Sequence, residues 1–159
     1  MKATIREARA HDYPQLCALI EEVDALHRDR LPDTFQKPLG PIRDEDYISY
    51  LIDSEHAGVF VAERAGQLVG FVQIMLAESP DIPICVPRRY ALIDNLVVKS
   101  DLRRSGIGQA LMNRASAWAT AQGAISIELT VYDFNEAALE FYRALGYKML
   151  RHTMSKKLV

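Results

Sequence analysis

The stretch at residues 91–109, ALIDNLVVKSDLRRSGIGQ, constrains the fold of this chain more than any other. Its apolar run at residues 91–98 predicts a buried strand, and a short polar link follows at residues 99–102. The next residues include Gly106 and Gly108 and open directly into a helical pattern. The stretch therefore predicts a strand, a glycine-rich turn and a helix in immediate succession.

Such a turn can hold a phosphate group for three physical reasons. Glycines at positions 106 and 108 leave no side chain between the backbone and a ligand. The first N–H groups of a helix have no partner inside it, and the helix dipole stabilises an anion there by about 0.3–1 kcal/mol. Arg103 and Arg104 add two permanent positive charges. The turn is thus either a pyrophosphate site or an ordinary helix start.

Two other nucleotide-binding motifs are excluded by the residues themselves. The chain contains no GxxxxGK(S/T) sequence, so it is not a P-loop protein. The dinucleotide fingerprint GxGxxG is incomplete, because Leu111 stands where its third glycine would be.

Two separate motifs carry a resemblance to a known family. Arg103 lies three residues before Gly106, so the turn resembles the R/Q-x-x-G-x-G/A motif of the GCN5-related N-acetyltransferases (GNAT), which binds the pyrophosphate of acetyl-CoA. Residues 135–147, NEAALEFYRALGY, resemble the GNAT stretch N-x-x-A-x-x-F-Y-x-x-x-G-F/Y. Together the motifs imply an acetyl-CoA-dependent N-acetyltransferase.

The order of predicted elements agrees with that resemblance over nearly the whole chain. The Asp12–Gln15 pair predicts a capping box at the first helix, and residues 64–67 predict a hairpin turn. We predict strands at residues 4–8, 58–63, 68–77, 89–98, 125–131 and 147–158, helices at 12–27, 44–53, 106–122 and 135–146, and a long loop at 28–43. The expected fold is α/β (α+β): one GNAT-like domain over residues 1–159, with a mixed central sheet and the order β-α-α-β-β-β-α-β-α-β.

Composition bounds the partners and the location. A chain of 159 residues with 49% hydrophobic residues suits a single domain. The net charge of −2 gives no basic field for nucleic acid, and no apolar run is long enough to span a membrane. Only two cysteines and an N-terminus without an apolar signal core favour the cytoplasm. The four histidines form no metal-binding pattern, so no metal is expected.

The reaction implied by the resemblance needs an uncharged amine. An alkylamine with a pKa of about 10.4 costs about 4–5 kcal/mol to deprotonate at pH 7, so a general base is useful. The resemblance assigns Tyr142 as the general acid that protonates the CoA thiolate, although Tyr142 could simply pack on its helix. Asp94 and Glu128 are candidate bases. Three alternatives remain: a base that acts through water, a reaction without a base, and a purely structural carboxylate held by a neighbouring arginine.

The resemblance also implies the ligand contacts. Relatives offer backbone groups of two splayed strands to the pantetheine arm, and Asn135 can serve as helix cap, as ligand contact or as both. The implied acetyl-CoA contacts are Leu96, Val97, Val98, Arg103, Arg104, Ser105, Gly106, Ile107, Gly108, Gln109, Asn135, Ala138 and Tyr142. The implied acceptor mouth comprises His27, Asp29, Arg30, Asp33, Phe35, Asp81, Cys85, Arg88, Arg89 and Tyr90.

The acceptor is expected to be a small-molecule primary amine, because the enzyme class requires an amine. Mixed charges in the mouth do not identify that amine or show whether the acyl group is strictly acetyl. A protein or peptide acetyltransferase and a CoA-binding sensor without turnover are the alternative functions. A homodimer is expected by analogy with relatives, and no nucleic-acid or membrane partner is expected.

Overall fold

The computed structural model describes residues 2–159 and contains one mixed sheet of five strands. The strands lie in chain order and are β1 (Thr4–Glu7), β2 (Ala57–Arg64), β3 (Gln67–Glu78), β4 (Arg89–Val98) and β5 (Ile127–Leu129). β1 to β4 pair antiparallel with their neighbours, whereas β4 and β5 are parallel. The α-helices of this part of the chain are α1 (Tyr13–Arg30), α2 (Glu45–Asp53), α3 (Ile107–Ala121) and α4 (Glu136–Ala144). The expected α+β class and mixed sheet are confirmed.

Two apolar clusters cover the two faces of the sheet. The cluster under α1 and α2 includes Val61 and Phe71, and the cluster under α3 includes Phe60 and Val72. Consecutive strand residues point to opposite faces, so each neighbouring pair divides between the two clusters. Full burial of side chains of this size contributes about 1.5–3 kcal/mol each. The sheet is therefore held by helices from both sides.

The start of α1 departs from the expected capping box. The Asp12 carboxylate accepts from the N–H of Arg9 at 2.7 Å and from the Arg6 guanidinium at 2.8 and 2.9 Å, and it makes no cap bond to α1. Gln15 Oε1 accepts from the N–H of Leu68 at 2.9 Å. The capping-box prediction is wrong because both side chains serve tertiary contacts that join α1 to β1 and β3.

Most local boundaries agree with the sequence patterns. Asp44 caps α2 by accepting from the N–H of Asp46 at 3.1 Å. The β2–β3 turn places Ala65 and Gly66 at φ values of 53° and 77°, which suits a two-residue hairpin. α1 is longer than expected, because the N–H of Leu31 still bonds to the carbonyl of His27 at 2.8 Å.

The end of the chain differs most from expectation. β5 covers three residues rather than residues 125–131, and residues 147–159 form neither helix nor strand. A strand needs a neighbour for its N–H and C=O groups, and β5 presents an outer edge of only three residues. The predicted strand at 147–158 is therefore wrong, and the last β of the expected order is missing from the described residues.

Candidate active site

A cleft opens where β4 and β5 stop pairing. Their parallel pairing runs from Ala91 opposite Ile127 to Ile93 opposite Leu129. β4 then continues to Val98, paired with β3 alone. One edge of β4 therefore has no strand partner over its last residues, and the gap on this side is called the cleft.

A β-bulge lies at the point where the pairing ends. On β3, Gln73 faces Asn95 and Ile74 faces Ile93, so Asp94 is an extra residue without a partner on β3. The extra residue reverses the side-chain alternation downstream. Ile93 belongs to the cluster under α3. In a regular strand, the residues two and four positions after Ile93 would face the same cluster, but here Leu96, three positions later, packs against it. The bulge therefore shifts which residues line the cleft.

The backbone groups of two cleft residues point toward the open side. The N–H of Lys99 donates to the carbonyl of Val69 at 2.9 Å. In an antiparallel pair this makes Val98 and Gly70 a non-hydrogen-bonded pair, so Val98 directs its own N–H and C=O away from β3. Leu96 does the same two residues earlier, whereas Val97 between them points its polar groups toward β3. The cleft edge of β4 therefore presents main-chain donors and acceptors that β3 does not use, although the carbonyl of Val98 accepts from Arg103 Nε at 3.3 Å.

The glycine-rich turn adjoins this edge. A short 3₁₀ turn at Ser100–Leu102 leads into it, and the backbone is left-handed at Arg104 (φ 61°) and Gly106 (φ 84°). Gly106 is the N-cap of α3, so no side chain caps the first N–H groups of the helix. The Ser105 hydroxyl donates to the carbonyl of Leu102 at 2.5 Å and closes the turn on itself. The result is an exposed turn with uncapped helix donors.

The two glycines of the turn have different surroundings. A Cβ at Gly106 would meet no atom within 4 Å. A Cβ at Gly108 would lie 3.2 Å from the Phe141 ring and 3.8 Å from Val98. Gly106 thus leaves space for a ligand, as the sequence suggests. Gly108 mainly allows α3, α4 and β4 to pack closely, which the sequence did not reveal.

α4 carries Tyr142 into the cluster that lines this side of the cleft. Asn135 caps the helix by accepting from the N–H of Ala138 at 3.2 Å, which confirms its predicted cap role. The Tyr142 ring makes edge contacts with Phe141 and Tyr147 at centroid distances of 5.2 and 5.6 Å. Burial raises the pKa of Tyr142 to about 12, with a smaller effect of Tyr147. The phenol is therefore protonated throughout the neutral range and can donate a hydrogen bond.

A comparison with protein families decides the relationship. A model of the Acetyltransferase (GNAT) family matches residues 20–147. This chain belongs to the GNAT family. The match includes the diverging strands, the glycine-rich turn and α4, so the resemblance inferred from two motifs is confirmed.

Comparisons with individual proteins support the assignment to the GNAT family. An N-acetyltransferase of Methanocaldococcus jannaschii, described as uncharacterized, is 36% identical over 102 residues, which are 64% of this chain and 44% of the relative. A mutant of the BH1408 protein from Bacillus halodurans is 28% identical and superposes with a TM-score of 0.92, covering 98% of this chain and 99% of that one. AAC(6')-Iy, solved with the bisubstrate analog CoA-S-monomethyl-acetylneamine, shares the fold at a TM-score of 0.75 and 14% identity, with coverages of 100% and 99%. The chain spans less than half the length of the first curated relatives it matches.

The two candidate bases of this GNAT chain have different environments. The Glu128 carboxylate lies 2.9 Å from the Arg88 guanidinium, which stands over the Tyr90 ring at 4.2 Å. Asp94 is exposed on the bulge, and the side-chain amide of Asn95 donates to it at 3.2 Å. Glu128 thus has the arginine partner that the sequence analysis considered as a structural alternative, and Asp94 has no such partner among residues 2–159.

The first part of the predicted acceptor mouth forms an aromatic cluster. His27 on α1 and Phe35 on the following loop have ring centroids 5.5 Å apart. Tyr132 and Phe134, between β5 and α4, complete the cluster at 5.5 and 5.9 Å from His27. Neither Tyr132 nor Phe134 was among the residues that the sequence predicted for the mouth. Two aromatic residues between a predicted strand and a helix cap were the available signal.

The second part of the predicted mouth lies around a different hollow. The β3–β4 loop and the strand ends beside it enclose an open pocket of about 940 Å³. Four of the predicted mouth residues line it, namely Asp81, Cys85, Arg88 and Arg89. Arg89 pairs with Glu78 at 2.9 Å on the rim.

Within residues 2–159, no group of three or more His, Cys, Asp and Glu side chains could hold a metal ion. None of the helices in the same range has the length and apolar character that crossing a bilayer requires.

Proposed function

We propose that this chain transfers the acetyl group of acetyl-CoA directly to the primary amine of a small-molecule acceptor. One observation carries the proposal: the unpaired edge of β4 runs directly into a turn with uncapped helix donors. A thioester carrier with a long amide-containing arm and a pyrophosphate matches these two features. Membership of the GNAT family supports the same reaction class.

The turn suits the pyrophosphate of acetyl-CoA. Backbone N–H groups from Arg104 to Gln109 lie at or near the positive end of α3, and open space surrounds Gly106. Arg103 and Arg104 are exposed and add charge, although Arg103 Nε also donates to the carbonyl of Val98 at 3.3 Å. We assign Arg103, Arg104, Ser105, Gly106, Ile107, Gly108 and Gln109 to this part of the ligand.

The cleft edge suits the pantetheine arm. Leu96 and Val98 present main-chain groups to it, and Val97 holds the strand in place by pairing with Phe71. Asn135 uses its side-chain oxygen for the cap to Ala138, so we assign its amide NH₂ to the ligand. Ala138 and Tyr142 lie on the same helix and complete the proposed contacts.

Tyr142 is the proposed acid. Bound acetyl-CoA supplies the acetyl thioester and a thiolate leaving group with a pKa of about 8.5. Because the pKa of Tyr142 is raised to about 12, complete proton transfer to that sulfur would be uphill by about 4–5 kcal/mol. Tyr142 therefore acts by donating a hydrogen bond to the sulfur, and it transfers its proton to the thiolate only as solvent water returns a proton to the phenolate oxygen.

The remaining assignments complete the proposal. Free Cys17 and Cys85 support a cytoplasmic location. We propose a homodimer on the analogy with relatives. Asp94 and Glu128 stay candidate bases, and the Arg88 ion pair favours Asp94 of the two.

Calorimetry and thiol release test the proposal together. Acetyl-CoA should bind at one site, and replacing Arg103 and Arg104 by alanine should weaken binding about tenfold. The exposed pair Arg143 and Arg151, replaced in the same way, is the matched control. Wild-type protein should release free CoA thiol with at least one amine among aminoglycosides, polyamines, amino acids and peptides. Acetyl-CoA binding without any thiol release would favour a sensor, and the absence of binding would refute the proposal.

A further inference from the structure

His27 occupies an unexpected position on α1. The sheet-facing stripe of the helix runs through Leu16, Leu19, Ile20 and Val23, all of which pack in the cluster on that face. His27 follows Val23 by four residues and therefore continues the same stripe. A titratable ring thus stands where the pattern would place another apolar residue, and it is only half-buried.

The backbone fixes the tautomer of His27. Its Nδ1 lies 2.9 Å from the carbonyl oxygen of Val23. A carbonyl can only accept a hydrogen bond, so Nδ1 carries the proton. In the neutral ring the lone pair is then on Nε2, which is the atom that can accept a proton.

α1 spans the ends of the two diverging strands. Glu22 accepts from the N–H of Ser100 at 2.9 Å, just beyond the end of β4. His27 contacts the Tyr132 ring, three residues beyond the end of β5. Glu22 and His27 are about 7.5 Å apart along the axis of α1. His27 therefore lies over the mouth of the cleft between β4 and β5.

The surroundings of His27 leave Nε2 without an acidic partner. Three aromatic rings contact the imidazole, and no ion pair within residues 2–159 includes it. Arg30 stands over the Phe134 ring at 5.7 Å. The other charged residues on the C-terminal half of α1, on residues 31–43 after it and between β5 and α4 fall into two groups. Three ion pairs join Glu21 to Arg28, Asp24 to Arg43 and Asp33 to Lys157, and the remaining charged residues are Glu22, Asp29, Lys37 and Asp133.

We propose that Nε2 of His27 is the general base that takes a proton from the acceptor ammonium group, an inference that rests on the proposed acetyl transfer. One N–H bond of the ammonium breaks, and its electron pair stays on nitrogen as the nucleophile. The proton forms an Nε2–H bond and makes an imidazolium beside the three aromatic rings. Water removes that proton after transfer.

His27→Asn is the sharpest variant for a test. The asparagine amide can still donate to the carbonyl of Val23 but has no basic nitrogen at the position of Nε2. His152→Gln, in the exposed C-terminal segment, is the matched control. Rates of thiol release are measured with phenethylamine, spermidine and neamine as acceptors, and acetyl-CoA affinity is measured by calorimetry.

With the fastest of these amines, His27→Asn should lower kcat at pH 7 about 10²-fold or more. Acetyl-CoA affinity should stay within about twofold. Wild-type kcat should fall on the acid side of its pH profile, because a protonated base cannot accept another proton, and the variant should lose this acid limb. Added imidazole should restore part of the rate to His27→Ala.

Two outcomes would overturn the inference, and they can be told apart. If wild-type protein turns over an amine and His27→Asn retains its rate and pH profile, His27 is a structural residue. If wild-type protein binds acetyl-CoA but turns over neither these three amines nor any amino acid, peptide, other polyamine or other aminoglycoside in the wider panel, the proposed function fails together with the base.

Discussion

The α3 side and the α1 side of the cleft present different kinds of chemical groups. On the α3 side the available donors are main-chain N–H groups at the turn and on β4. On the α1 side the available groups are side chains, namely the imidazole of His27 and the rings of Phe35, Tyr132 and Phe134. Main-chain donors need glycines and a defined turn, so they leave a motif in the sequence. Side-chain surfaces have no such requirement and can differ between relatives.

The two sides are also anchored differently. α3 packs through apolar contacts, with Leu111, Met112 and Ala115 fully or almost fully buried. α1 has apolar contacts as well, but its start depends on the buried Arg6–Asp12 ion pair, in which Asp12 is 1% exposed. Acid should therefore weaken the α1 side before the α3 side.

Asp12→Asn should have the largest effect. Breaking one partner of a buried ion pair costs about 3 kcal/mol of unfolding free energy, measured by urea denaturation at pH 7. The hydrogen bonds from Arg6 hold the pKa of Asp12 below its usual value. Its stabilisation is therefore present above about pH 4, the usual pKa of a free aspartate, and is lost as pH falls through the lower folded-state value.

The variant should consequently show a weaker acid dependence of stability than the wild-type protein. Asp81→Asn, in an exposed loop, is the control and should change little. Equal urea midpoints for Asp12→Asn and the wild type would show that the ion pair does not anchor α1.

Tyr142→Phe should lower kcat about 10²-fold while acetyl-CoA affinity changes less than about twofold. The hydrogen bond from the phenol to the sulfur strengthens as negative charge develops on the sulfur during transfer, so the rate should fall more than the binding affinity. With its pKa raised to about 12, Tyr142 stays protonated at neutral pH, and its titration should not reduce the rate below about pH 11. Tyr50→Phe, on an exposed face of α2, is the control, and equal kcat values for Tyr142→Phe and the wild type would remove Tyr142 from the mechanism.

Gly106→Val should weaken acetyl-CoA binding about tenfold. Gly106 has a φ of 84°, a left-handed conformation that costs a residue with a side chain about 1–2 kcal/mol. We therefore expect the valine to change the shape of the turn, even though a Cβ at this position would meet no other atom within 4 Å. Gly40→Val is the matched control, because Gly40 also has open space and lacks a positive φ. Calorimetry showing equal losses for both variants would mean that the left-handed turn has no part in binding.

Asp94→Asn and Glu128→Gln should have the smallest effects, each below about fivefold in kcat. If the α1 side supplies the base, neither carboxylate on the β4–β5 side needs to accept the proton. A loss of 10²-fold in either variant, measured by thiol release at pH 7, would return the base to that side.

Local signals predicted most of the α3 side. Asn135 caps α4, and α3 begins at Ile107 inside the glycine-rich turn that follows β4. Each of these depends on a residue and its near neighbours in the chain. The roles of these residues toward acetyl-CoA stay predictions.

Features that depend on distant contacts could not be predicted. The position of Gln15 in the sequence is typical of a capping residue, but its side-chain oxygen accepts a hydrogen bond from the N–H of Leu68 on β3. Tyr132 reaches His27 only because the sheet and α1 bring them together. The pattern at residues 147–158 suits a strand, but a strand also needs an edge, and no local pattern reports whether one is available.

The extra residue at Asp94 sets an unusual limit on how this cleft can change. Substitutions alter the chemistry of a side chain but leave it on its side of the sheet. Deleting Asp94 would turn Leu96 and Val98 toward α1 and send Val97 toward α3. The lining of the cleft is therefore fixed by the number of residues in β4 as much as by their identity, and a one-codon deletion would be a larger step than any single replacement.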